Sequence, residues 1–169
     1  MKKTASPQTV NDILSTSAHF EKVAADFYGM LAKRFAHLPE VSNYWNELSG
    51  DELMHEKLVL SVQHSLSKEK LEALPIKELT TSVTSVQKLL DIITKYNIQT
   101  LDDAYELAHQ LEFSEVNAVL KLIITNLMPP EKYEEFVTSR IDEHEGKLLQ
   151  FTDLFGDKSW RKMQKIQPN

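Results

Sequence analysis

Apolar side chains recur at intervals of three and four over the first and last thirds of this chain, and the pattern fades between them. Ile13, Leu14, Ser17, Phe20, Glu21, Ala24, Phe27, Tyr28, Leu31 and Phe35 lie on one face of a helix of 3.6 residues per turn. That helix starts near Pro7–Thr9, where Thr9-x-x-Asp12 has the form of a capping box with Asp in place of Glu, and it runs to about His37. Leu38-Pro39-Glu40 breaks it. A second helix follows to about Ser65, with Val41, Tyr44, Trp45, Leu48, Glu52, His55, Leu58, Val59 and Val62 as its stripe. Thr100-x-x-Asp103 repeats the cap and opens a third helix carrying Leu101, Ala104, Tyr105, Ala108, Leu111, Glu112, Glu115, Val119, Leu122 and Ile123. Met128-Pro129-Pro130-Glu131 ends it, and a fourth carries Tyr133, Phe136, Val137, Ile141, His144, Leu148, Phe151 and Phe155.

Residues 66–99 read as a crossover. Pro75 and Thr80-Thr81-Ser82 predict irregular structure there, and Val86 to Tyr96 a short helix. Bundle connections usually take about 2–8 residues, so one this long must run the length of the bundle. The expected organisation is one all-α domain over 1–169: a helix pair (9–65), the crossover (66–99), a second pair (100–156) and a short basic tail (157–169). Each pair is joined by a proline-containing turn, which makes its members antiparallel neighbours.

Composition agrees with this picture and narrows the functions. Four glycines and six prolines are few, and the chain of 169 residues is long enough to bury a sizeable core. A formal charge of −6 opposes nonspecific binding to nucleic acid or to an anionic membrane. The basic residues Lys158, Arg161, Lys162 and Lys165 read as a solvated end rather than a binding site. No apolar run approaches the ~20 residues of a membrane span, and no apolar stretch follows the N-terminus as in a signal peptide. Cytoplasmic residence is the expectation. With no cysteine, the chain has no disulfide, Cys-ligated zinc, iron–sulfur cluster or rubredoxin centre of its own.

Polar residues on the apolar faces carry the chemistry. Glu21 lies in the inward stripe of the first helix, Glu52 and His55 in that of the second, Glu112 and Glu115 on the third, and His144 on the fourth. A bare carboxylate in a dry core costs several kcal/mol or takes up a proton. Four carboxylates and two imidazoles aimed at one interior therefore need metal ions, or a network of protons and waters. Oxygen-rich ligation with histidine suits iron or manganese better than structural zinc.

Each piece alone is weak. Sixteen Glu and six His give about 0.6 chance matches to Glu-x-x-His, and Glu106-x-x-His109 is read as one, lying off the face of Glu112. The mutual spacing is more telling: Glu21 precedes His55 by 34 residues and Glu112 precedes His144 by 32. A duplicated helix pair explains that repeat.

Glu21-x-x-Ala-x-Asp-Phe-Tyr28 followed by Asp51-Glu52-x-x-His55 resembles the first half of a rubrerythrin-type ferritin-like domain. Glu112-x-x-Glu115 followed by His144 is similar to its second half. The resemblance spans roughly residues 10–65 and 100–155 and implies a ferritin-like four-helix bundle holding two metal ions, usually iron, with manganese as an alternative. It implies that Glu52 and Glu112 bridge the metals, that Glu21 and His55 complete one and His144 serves the other. Glu115 would match the extra carboxylate of rubrerythrins. Tyr28 would donate a hydrogen bond to a ligating carboxylate, or simply pack in the interior. The sequence departs from the family at Ile141, where a glutamate three residues before His144 is expected. Sliding the register to Glu143 puts Gly146 at the histidine position. The His144 register is preferred because Val137, Ile141, Leu148, Phe151 and Phe155 share its face.

The resemblance implies redox chemistry on peroxide or dioxygen, or oxidation of ferrous iron, with electrons from a separate donor. The alternatives are a metal-holding protein without turnover, its second half-site disabled by Ile141, and a metal-free interaction bundle. Side-by-side homodimers are expected by analogy, with Tyr44, Trp45 or Phe113 on the shared surface.

Overall fold

The computed structural model describes residues 7–93, 96–113, 115–128 and 146–166, with side chains 91–93 and 115–118 set aside. Helix α1 (Val10–Arg34) starts at the predicted capping box: Thr9 Oγ1 accepts from the Asp12 N–H, and Asp12 Oδ2 accepts from the Thr9 N–H, each at 3.1 Å. Helix α2 (Pro39–Ser65) begins with proline, whose missing N–H costs nothing at the first helical turn. The two pack as antiparallel rods. Ser42 Oγ donates to Ala32 O, Ser49 Oγ to Ala25 O, and Gln63 Nε2 to Asn11 Oδ1. Every seven-residue step forward along α2 is thus matched by seven back along α1. Buried Ala25 and Ala32 let the rods approach closely enough for these side chain-to-backbone bonds.

The crossover is more regular than its sequence suggests. It holds a short helix α3 (Lys68–Glu72), capped by Ser67, and a 17-residue helix α4 (Lys77–Ile93). Leu79, Val83, Val86 and Leu90 form a buried stripe on α4, which packs against α1 and the helix α6 described below. The expectation of irregular structure at Thr80-Thr81-Ser82 is corrected. Thr80, Thr81 and Thr84 turn their hydroxyls back to carbonyls four residues earlier, and the helix absorbs them.

The third predicted helix is two. Helix α5 (Leu101–Glu112) has the expected Thr100–Asp103 capping box, and helix α6 (Glu115–Leu127) follows a break at Phe113. Phe113 leaves helical geometry at ψ 13°, and its ring packs on that of His109 at 4.4 Å, closing the last turn of α5. Glu112 therefore ends α5 and Glu115 opens α6. Most of the fourth predicted helix, including Ile141, Glu143 and His144, lies outside the described residues. Residues 146–149 are helical, and α7 (Phe151–Phe155) continues the expected face, with Leu148 and Phe151 fully buried.

The basic tail is not a solvated end. Gly156, at φ 81°, makes a turn that a side chain would strain, and helix α8 (Lys158–Met163) folds back onto α5. Arg161 is buried against Asp102, its guanidinium 4.5 Å above the Tyr105 ring. Lys158 reaches Glu106, and backbone bonds join Leu101 to Gln164 and Ile166 to Gln99. The acidic start of α5 attracts the tail, which counting the tail's own charges could not reveal.

Tyr44 and Trp45, expected on a dimer surface, are core residues; of the three proposed only Phe113 is exposed. Together α1, α2, α5 and α6 with their flanking segments form an all-α ferritin-like bundle. Among the described residues no helix is long and apolar enough to cross a membrane.

Candidate metal centre

Three helices deliver carboxylates to the same interior. Glu21 comes from α1, Glu52 from α2 and Glu112 from α5, each 3% exposed, and His55, one turn beyond Glu52, is 2% exposed. The α1–α2 register explains Glu21, Glu52 and His55: Glu52 and His55 follow Ser49 by one and two turns, and Glu21 precedes Ala25 by one. Potential ligand atoms of Glu21, Glu52 and His55 all lie within 4.8 Å of one another. His55 Nδ1 donates to Glu52 Oε2 at 3.0 Å and is 3.7 Å from Glu21 Oε2. The Tyr28 hydroxyl donates to Glu112 Oε1, tying α5 to α1 two turns above Glu21.

Electrostatics mark this as a site under tension. Burial drives the Glu52 carboxyl well above the usual range, and the charges of Glu112 and Glu21 push it further, against the hydrogen bond from His55. Burial alone would depress His55, but the nearby Glu21 carboxylate and the hydrogen bond to Glu52 prevail and hold the imidazole up at about 10. Burial, then the charges of Glu112 and Glu52, keep Tyr28 firmly protonated, so it remains a donor. Glu21 Oε2 is buried without a hydrogen-bond partner among the described residues. A buried carboxylate oxygen lacking a donor is unfavourable unless a cation meets it. Three carboxylates and an imidazole form an oxygen-rich set that fits iron or manganese.

Of the residues singled out in the sequence, Glu21, Glu52, His55, Glu112 and Tyr28 are therefore brought together. Glu115 opens α6 beyond the break, with its side chain outside the described part, and His144 lies wholly outside it. Glu106 and His109 stay apart from the centre; Glu106 is exposed and pairs with Lys158.

The family model described as Rubrerythrin matches residues 12–126. The chain belongs to the rubrerythrin family. The match includes every clustered carboxylate and ends before His144. The fold is also similar to the crystal structure of a candidate ferritin-like diiron-carboxylate protein from Thermotoga maritima. That likeness has a TM-score of 0.60 at 17% identity and covers 89% of this chain and 98% of the other. No curated protein sequence matches the chain significantly.

Two features of this rubrerythrin-family site were not singled out from sequence. Tyr44 has a buried hydroxyl without a partner among the described residues, and burial followed by the charge of Glu112 pushes its phenol strongly upward. Asp51, next to Glu52, is bridged by Lys147, which joins α2 to the helical segment 146–149. Asp51 stands in the quoted motif, but nothing in the sequence names its partner 96 positions away.

Proposed function

We propose that this chain holds two metal ions, iron first among the candidates, and uses them in redox chemistry on peroxide or dioxygen or in oxidising ferrous iron. The observation that carries the reading is the buried Glu21–Glu52–His55 cluster with its unpartnered carboxylate oxygen. In this reading Glu21 and His55 complete one metal position, and Glu52 and Glu112 bridge. His144 serves the other position, with Glu115 as the extra carboxylate. A bound iron pair would supply two one-electron couples. The protein's own residues do the rest. Tyr28 orients Glu112, the aromatic and aliphatic core excludes bulk water, and His55 gives up its proton to become a ligand. Electrons come from a separate donor, since the chain carries no cysteine-bound centre.

A second reading, a metal holder without turnover, is favoured by Ile141 at an expected glutamate position. The test is metal analysis of the purified protein, followed by anaerobic loading with ferrous iron and addition of peroxide. Two irons per chain and rapid oxidation, both lost in Glu52→Ala, support the first reading. Bound metal that peroxide does not oxidise supports the second, and a protein that binds neither iron nor manganese refutes both.

A further inference from the structure

A pocket of about 380 Å³ opens on the flank of α1, between that helix, the end of α4 and α5. Phe27 and Met30 of α1, Leu90 of α4, Ile98 and Leu111 of α5 make its walls, so most of what faces it is hydrocarbon. Of the α1 residues that line it, only Ala24 is buried, at 1% exposed. Ala24 follows Glu21 by three residues and precedes Tyr28 by four, one turn from each on the same helix face. Leu111, the buried residue that α5 contributes, directly precedes Glu112. The pocket thus ends where α1 and α5 carry the carboxylate cluster.

Its charged residues leave the mouth a poor trap for cations. Asp26 is 67% exposed and paired with Lys22, and the other charged lining residue is Arg34. A ferrous ion going further would exchange its water for hydrocarbon. Hydrogen peroxide meets the same objection in milder form, because its two O–H groups find few partners along these walls. Dioxygen gives up no strong hydrogen bonds on leaving water, so an apolar passage favours it over both.

Resting on the two-metal reading above, we infer that dioxygen is the oxidant of the site and that it enters through this pocket, past Ala24. Two electrons, one from each of two ferrous ions, and two protons from water convert it to hydrogen peroxide. Ala24 contributes by size alone. Its single methyl leaves a floor that a diatomic molecule crosses when neighbouring side chains hop between rotamers. A larger side chain there, or on the walls, closes the way.

Xenon serves as the probe, being apolar and able to occupy cavities lined by hydrocarbon. In the metal-free full chain with isotope-labelled methyl groups, nuclear magnetic resonance under xenon pressure should show saturable shifts at Ala24, Met30 and Leu111. Met30→Trp fills the pocket away from Glu21 and should abolish the shifts at Ala24 and Leu111. Loaded with ferrous iron, Met30→Trp and Ala24→Leu should each react with dioxygen about tenfold more slowly at unchanged iron content. Oxidation by added hydrogen peroxide should change by less than about twofold. If Ala24→Leu does not fold, Met30→Trp, at a half-buried position, decides the question alone. Xenon that leaves Ala24 and Leu111 unmoved, or dioxygen rates equal to those of the parent chain, overturns the entry route and leaves the two-metal reading standing. Peroxide slowed by the same factor as dioxygen overturns the choice of oxidant. Protein that binds no iron overturns both readings.

Discussion

Replacing Arg161 with methionine keeps most of an aliphatic stem in place and strips Asp102 of its nearest cation. Arg161 Nη2 lies 3.2 Å from Asp102 Oδ1, and both side chains are 5% exposed. Arg161 Nη1 also donates to Gly156 O at 2.8 Å, and the guanidinium covers Tyr105. What remains for Asp102 is Lys158, 3.8 Å away with a side chain 58% exposed. Removing one partner of a buried ion pair costs about 3–5 kcal/mol. Loss of the cation–π contact adds ~0.5–2 kcal/mol. Asp102 lies in the first turn of α5, where the helix dipole returns ~0.3–1 kcal/mol, and Lys158 can move closer. The expected net loss is about 3–4 kcal/mol. At roughly 2–4 °C per kcal/mol for a chain of this size, Tm falls by ~6–16 °C. Urea and thermal unfolding of metal-free protein, followed by far-ultraviolet circular dichroism, measures it. The double variant Asp102→Asn with Arg161→Met should regain much of the loss, because no buried charge is left behind. A loss below about 1 kcal/mol, with the double variant merely additive, would mean that the tail is an ordinary solvated surface and the reasoning fails.

Two further outcomes follow from the site itself. His55 is held up at about 10 and Glu52 well above its usual range, so the metal-free pocket carries protons that a metal must displace. Metal affinity should therefore rise with pH. For His55, whose folded value exceeds its ordinary one, stability in the metal-free protein is fully present below about 6.5 and lost as pH climbs through about 10. Glu52 acts in the same direction from a lower starting pH. Calorimetry in buffers of different ionisation enthalpy reads the proton release; binding heats independent of buffer would contradict it. Separately, Tyr28→Phe removes the donor on Glu112 and should weaken metal binding about 10–100-fold. Competition titration against a chelator checks this, and an unchanged affinity would show that Tyr28 serves packing alone.

The parts of the molecule legible in the sequence are those set by short-range rules. Both capping boxes, the α1–α2 hairpin and the convergence of Glu21, Glu52 and His55 follow from periods of three and four and from one tight turn. The misread parts depend on residues distant in sequence. The α4 stripe of Leu79, Val83, Val86 and Leu90 was masked by threonines whose hydroxyls fold back on the helix. Arg161 looks like a free surface charge until Asp102, 59 positions earlier, is placed beside it. The break at Phe113 falls where residues of ordinary helix propensity surround it, and the ring contact with His109 that accompanies it is a tertiary fact.

Helix α1 sets the dimensions of the centre. Glu21 and Tyr28 stand two turns apart on its buried face, with Ala24 between them. Glu21 meets the ligands of α2 directly, whereas Tyr28 reaches across to Glu112 and so fixes how far α5 stands from the pocket. The Glu21–Glu52–His55 cluster is therefore specified by one local hairpin, whose register is locked by Ser42, Ser49 and Gln63. Glu112 joins that cluster from α5, where the Tyr28 hydroxyl donates to it. A shift of α5 along the bundle would leave Glu21, Glu52 and His55 clustered while drawing Glu112 off Tyr28. Separation of Glu112 from the cluster before Glu21, Glu52 and His55 part is thus the failure this architecture favours, because a contact between helices distant in sequence is less constrained than three groups held by one paired hairpin.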